Sequence, residues 1–148
     1  MGGVEPGLSG GSATRFHKLL FPIDNSRETS HALPLVADIA QRYKSQVYLL
    51  SVLDAAELDA ERAEQARQNI HNLLKQTESG LHQIGLNSVK SEYREGKVPF
   101  VICDVADELE ISLIVMGSRG LTLSGEGQNN SVSHRVIDLA PCPVLVVP

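Results

Sequence analysis

The feature that most constrains this chain is an alternation of short apolar runs with longer stretches of helical spacing. LLFPI, VYLLSVL, LIVM and VLVV are each bounded by polar or turn-forming residues. They are short for helices and nearly continuous in apolar character, as strands buried on both faces are. Such strands belong to a parallel sheet covered by helices. Between the first two runs, Ala32, Leu35, Val36, Ile39, Ala40 and Tyr43 recur at three- and four-residue steps, which predicts one buried helical stripe. Pro34 conflicts with that stripe, because proline deletes a helical hydrogen bond and crowds the preceding turn. Either the helix kinks there or its regular part begins near Pro34.

Residues 55–79 are rich in Ala, Glu, Gln and Leu, strong helix formers. Ala63, Ala66, Ile70, Leu73, Leu74 and Thr77 form a narrow apolar face; Gly80 is expected to loosen the helix and Gly85 to end it. Residues 88–95 alternate like a half-buried strand. Gly96 then breaks the pattern, and helical spacing returns through Val98, Val101, Ile102, Val105, Ala106 and Leu109. SLIVMGS, SVSHRVIDLA and PVLVV supply a fourth strand, a last helix and a fifth strand. The order β-α-β-α-β-α-β-α-β predicts an α/β fold, a doubly wound five-stranded parallel sheet with helices on both faces. Residues 1–15, Gly- and Ser-rich with little to bury, are expected to form a disordered arm, leaving 16–148 as one domain.

Composition narrows the function. A net charge of −5, with no dense basic stripe and scattered aromatics, argues against nucleic acid as a partner. No apolar run approaches a membrane span, and the N-terminus lacks the apolar core of a signal peptide. Cys103 and Cys142 have neither metal nor redox spacing, which fits a cytoplasmic protein with reduced thiols. The five histidines show no metal-ligand pattern, and no G-x-S-x-G elbow is present. Cys103 lies on an apolar helical face and reads as core rather than nucleophile.

What remains is the loop after the fourth strand, GSRGLTLSGEGQNNSVS. A glycine-rich turn lets backbone N–H groups approach an anion, and the following helix offers unpaired N–H groups and the positive end of its dipole. Asn130, Ser131 and Ser133 stand where that helix should begin, and Arg119 and Arg135 are the nearby cations. Asp24, closing the first strand, would accept hydrogen bonds from a ribose or hold a magnesium ion. Each has a plainer role: the loop as a flexible connection, the serines and Asp24 as helix caps. The spacing is neither a Walker A loop nor the GxGxxG fingerprint.

The chain resembles the universal stress proteins from about Phe16 to Pro148. The marks are KLLFPIDNS at strand one, LLSVLD at strand two, GKVP before the third helix, and LIVMGSRGL with SVSHRVIDLAPCPVLVVP at the end. ATP-binding members carry G-x-x-G, nine residues, then G-[ST]. Here Gly117 to Gly120 satisfy the first part and Leu121 to Asn129 supply the nine. Asn130-Ser131 then stands where Gly-Ser or Gly-Thr is expected. Asn is the non-glycine residue that best tolerates positive φ, but its side chain would crowd a site that needs bare backbone. Glu126 in the loop interior is a second departure, unfavourable beside phosphates.

The resemblance implies a Rossmann-like fold of the universal stress protein type. It implies adenine and ribose contacts at Pro22, Ile23, Asp24, Val52, Met116 and Gly117, and phosphate contacts at Arg119, Gly120, Asn130, Ser131 and Val132. For Val52 and Met116 core packing is the competing reading. The implied ligand is ATP or another adenine nucleotide such as AMP or a cyclic nucleotide, with or without magnesium. The implied assembly is a homodimer through the last strand, whose apolar edge would otherwise stay exposed. Three functions follow: a nucleotide-binding stress or signalling module acting on an unidentified protein partner, an interaction module that has lost nucleotide binding, or an ATP-cleaving or adenylyl-transferring enzyme. No positioned general base is evident, so slow hydrolysis is the most that is expected of catalysis.

Overall fold

The computed structural model describes residues 15–118 and 129–148, with 129–131 described as backbone. Strand β1 (Lys18–Pro22) leads into helix α1 (Arg27–Tyr43), followed by β2 (Gln46–Leu53), α2 (Ala60–Gln83), β3 (Val89–Glu95) and α3 (Val98–Glu108). Strand β4 (Leu113–Gly117), helix α4 (Asn129–Leu139) and strand β5 (Val144–Val147) complete the series. The strands form one parallel sheet in the order β3-β2-β1-β4-β5. The expected α/β architecture is the observed one.

The alternation of side chains along each strand divides the core in two. Leu19, Phe21, Val47, Leu49, Leu113 and Val115 pack against Ala32, Val36 and Ala40 of α1 and Leu74 and Leu81 of α2. Leu20, Leu50, Ile114 and Met116 point the other way, onto Ile102 and Val105 of α3 and Val132 and Val136 of α4. Each face carries two helices, so the strands can be apolar throughout.

Local chemistry sets the element ends. The Ser26 side chain accepts from the Thr29 N–H and caps α1, which then runs unbroken through Pro34. Pro34 is exposed, as is Ser30, whose carbonyl is the one that loses its helical donor. On the solvent side that carbonyl can bond water instead. Helix α2 starts at Ala60, later than residue 55, and is capped by Asp59, whose Oδ1 accepts from the Arg62 N–H at 2.8 Å. It also passes through Gly80, where a Cβ would meet nothing within 4 Å, and ends before Gly85 at φ +98°. Gly96 must be glycine, with φ +146° and a Cβ position 2.8 Å from Val101 Cγ2. Tyr43, expected on the buried stripe, is exposed, its ring edge-on to Phe16 at 5.1 Å. The α1 stripe is instead completed by Ala37.

Candidate functional site

In an open α/β sheet ligands enter outside the carboxyl ends of the strands, where the strand order reverses. Here the chain steps outward from β1 to β2 and β3, then returns to the opposite side of β1 for β4 and β5. The reversal therefore falls between β1 and β4. Around it lie the ends of β1 at Pro22, β2 at Leu53 and β4 at Gly117.

The β1 end is built by backbone bonds. Pro22 is buried and stands opposite Leu50 in the ladder. The Ile23 N–H donates to the Leu50 carbonyl at 2.8 Å, and the Ile23 carbonyl accepts from the buried Ser51 Oγ at 2.9 Å. Ile23 thus has both backbone groups bonded to residues of β2 and its side chain in the α1–α2 core. Asp24 Oδ1 accepts from the Ser26 N–H at 2.8 Å and from Thr29 Oγ1 at 3.0 Å, while the Asp24 N–H donates to Thr29 Oγ1 at 3.1 Å. Asp24 therefore shapes the turn into α1 and leaves the cap itself to Ser26. Sequence spacing alone does not single out Thr29. Its signal was a hydroxyl five residues after the aspartate, in register with the first helical turn.

Three other predicted residues lie on the opposite face of the sheet, in one apolar cluster. Met116 and Val132 are buried in the α3–α4 core, and half-buried Val52 packs against the same cluster. Val52 is the partly exposed member of this set, an apolar surface at the end of β2. Gly117 is buried at the end of β4 and pairs with Val147.

Beyond Gly117 the chain is held at Ser118. Its N–H donates to the Val147 carbonyl at 2.8 Å and its carbonyl accepts from Ser133 Oγ at 3.3 Å. Ser133 is 5% exposed and lies inside α4 rather than at its cap, because that helix already begins at Asn129. Asn130 and Ser131 fall in its first turn. Arg119, Gly120 and Glu126 lie outside the described residues. Arg135 is directed onto α3, its guanidinium carbon 5.8 Å from the Phe100 ring centre. Burial pushes the Cys103 and Cys142 thiols up, which disfavours the nucleophilic thiolate and fits a core role.

A groove of about 460 Å³ lies elsewhere, between α2 and β3, lined in part by His71, Lys75, Glu78, His82 and Tyr93. It sits on the α1–α2 face at the sheet edge, away from the strand reversal. Part of its wall is bonded to itself: Ser91 donates to Glu78 at 2.8 Å, and the His71 and Tyr93 rings are 5.0 Å apart. Position at the reversal, rather than concavity, identifies the candidate site.

Known proteins share this fold. The model of the universal stress protein family matches residues 15–148. The chain belongs to the universal stress protein family. Universal stress protein Sll1654 of Synechocystis is 43% identical over 151 residues, covering 96% of this chain and 92% of the relative. The solved structure of universal stress protein UspA from Lactobacillus plantarum superposes with a TM-score of 0.81 at 25% identity, covering 91% of this chain and 99% of that one. A family structure in complex with cAMP gives 0.69 at 18% identity, covering 89% of this chain and 96% of its own. The Archaeoglobus fulgidus family protein in complex with dAMP gives 0.64 at 21%, covering 91% and 100%. At the last two identities the likeness is one of fold.

Proposed function

We propose that this universal stress protein binds an adenine nucleotide at the carboxyl ends of β1, β2 and β4, and signals as a homodimer paired through β5. The observation that carries the reading is that half-buried Val52, across the strand reversal from buried Met116, shares one face of the sheet and one apolar cluster with it and with Val132. An apolar surface there suits a base, and Asp24 at the neighbouring strand end suits a ribose. Phosphates would lie toward Arg119, Gly120, Asn130 and Ser131, at the start of α4, where helix N–H groups favour anions. The fold shared with proteins solved with cAMP and dAMP supports the same ligand class.

Among the described residues no group of three or more His, Cys, Asp or Glu could hold a metal ion. A magnesium ion would arrive with the nucleotide, on phosphate oxygens. Binding would alter contacts with a protein partner rather than drive turnover, and the protein would work in the cytoplasm. Among the described residues no helix is long and apolar enough to cross a membrane. Residues 1–15 would be an arm outside the domain of 16–148.

A second reading, an interaction module without nucleotide, is favoured by Asn130 in place of glycine and by Glu126 in the loop. Calorimetric titration with Mg-ATP separates the two. We expect saturable binding that Gly120→Val weakens at least tenfold, about 1.4 kcal/mol, because a β-branched side chain there would intrude on the phosphates. Equal affinity of wild type and Gly120→Val would remove this account of the loop, and absent heat with wild type would favour the second reading.

A further inference from the structure

We infer that nucleotide occupancy and pairing of the β5 edge are thermodynamically linked through the backbone of Ser118. This rests on the proposed nucleotide site and goes beyond it by naming how that site is regulated. Ser118 is the first residue after β4. Its N–H is held by the Val147 carbonyl at 2.8 Å, and Val147 is the last residue of the edge strand. Its carbonyl is held by the buried hydroxyl of Ser133 at 3.3 Å. One residue, through the peptide groups on either side of its Cα, thus fastens the exit from β4 to the edge strand and to α4.

The side chains run the same way. Val144 and Val146 of β5 pack against the cluster that contains Met116 and Val132. Phosphates gathered at the start of α4 would fix that helix, and through Ser133 the Ser118 carbonyl. The Ser118 N–H would then hold Val147, and with it the strand offered to a second copy. Ordering already done by one event need not be repeated for the other, which gives positive linkage. Linkage is reciprocal, so the dimer must bind nucleotide more tightly by the same factor. Ser133 is a positioning residue here, since it acts through Ser118.

The test measures the dimer dissociation constant by sedimentation with and without saturating Mg-ATP, after calorimetry has established uptake. For wild type we expect about tenfold tighter dimerisation with Mg-ATP. In Ser133→Ala the two constants should differ by less than about twofold, a linkage too small to read on that scale, while nucleotide and dimer each still form. A mere structural weakening would shift both constants together and leave their ratio intact. Equal constants in a wild-type protein shown to bind Mg-ATP overturn the linkage and leave the nucleotide reading standing. A Ser133→Ala protein that keeps the full ratio also overturns it. Absent uptake in the first calorimetric run removes the nucleotide reading and the linkage together. The wild-type comparison needs no variant, so a poorly folding Ser133→Ala does not rescue the idea.

Discussion

The two edges of the sheet are built from opposite chemistries. Strand β3 reads VKSEYRE, and its exposed side chains are tied into ion pairs. Arg94 meets Glu92 at 3.3 Å and Glu108 at 3.0 Å, and Arg67 meets Glu95 at 2.7 Å. Strand β5 reads VLVV, and all four residues are only partly covered. Both strands have backbone groups facing outward. The Ile114 N–H bonds the Pro143 carbonyl and the Ser118 N–H bonds that of Val147, so the alternation of a ladder turns the groups of Val144 and Val146 away from β4. By the same rule Ser88 and Gly96 face β2, and Val89, Ser91, Tyr93 and Glu95 face outward. An unprotected edge invites another strand, and charge is the usual defence. Among the described residues one edge is defended by charge and the other is not, which is why the proposed dimer uses β5.

The strongest way to break this contrast is Val146→Pro. It removes an outward N–H while leaving the bonds to β4 at Pro143 and Val147 in place. We expect dimerisation to weaken about a hundredfold, some 2.7 kcal/mol, as read by sedimentation. A dimer of wild-type strength would place the interface elsewhere. The converse is to strip the defended edge with Glu92→Val and Arg94→Val together. Larger assemblies should then appear at concentrations where wild type shows none, and unchanged sedimentation would mean that charge is not what guards β3.

A smaller effect lies in the pH response of the defended edge. Burial first, and then donation to Glu95 at 2.6 Å, push the Tyr93 hydroxyl up to about 12 from its usual 10. The folded state therefore holds that proton more tightly than the unfolded chain. The stabilisation is complete below pH 10 and lost as pH rises from about 10 to about 12. Phenolate absorbance should show a late tyrosine titration that Tyr93→Phe removes; its persistence in Tyr93→Phe would contradict the assignment. The Arg67 guanidinium, and then the Tyr93 hydroxyl, hold the Glu95 carboxyl below the usual range. Its contribution is present above the unfolded carboxylate pKa and is lost as pH falls through the folded value. Because the pair is exposed, that acid-side change should be the smallest of these.

Much of this was readable because strand burial leaves a period in the sequence. The five apolar or alternating runs located every strand, and Gly85 and Gly96 marked turns that demand positive φ. What periodicity does not carry is the environment of a single side chain. Pro34 was tolerable because it falls on the solvent side of α1, a fact of helix phase and docking together. Tyr43 stands at the last turn of the same stripe but beyond the cover of the sheet. At the site, spacing named Asp24 but not its bonds to Ser26 and Thr29, which depend on how the chain turns into α1. Ser133 read as a cap because a serine near a helix start usually is one. That α4 begins four residues earlier, and that this hydroxyl reaches back to Ser118, are matters of tertiary placement.

Binding of an adenine nucleotide at the strand reversal between β1 and β4 is what the proposed function requires. It is tested most directly by thermal unfolding with and without Mg-ATP, AMP and cyclic AMP at millimolar excess. A ligand at about a hundred times its Kd stabilises by roughly 2.7 kcal/mol, a shift on the order of 5–10 °C for a domain of this size. We predict such a shift with at least one of the three, the largest naming the preferred ligand. An unfolding temperature unchanged by all three would contradict nucleotide binding and leave the fold as an interaction surface.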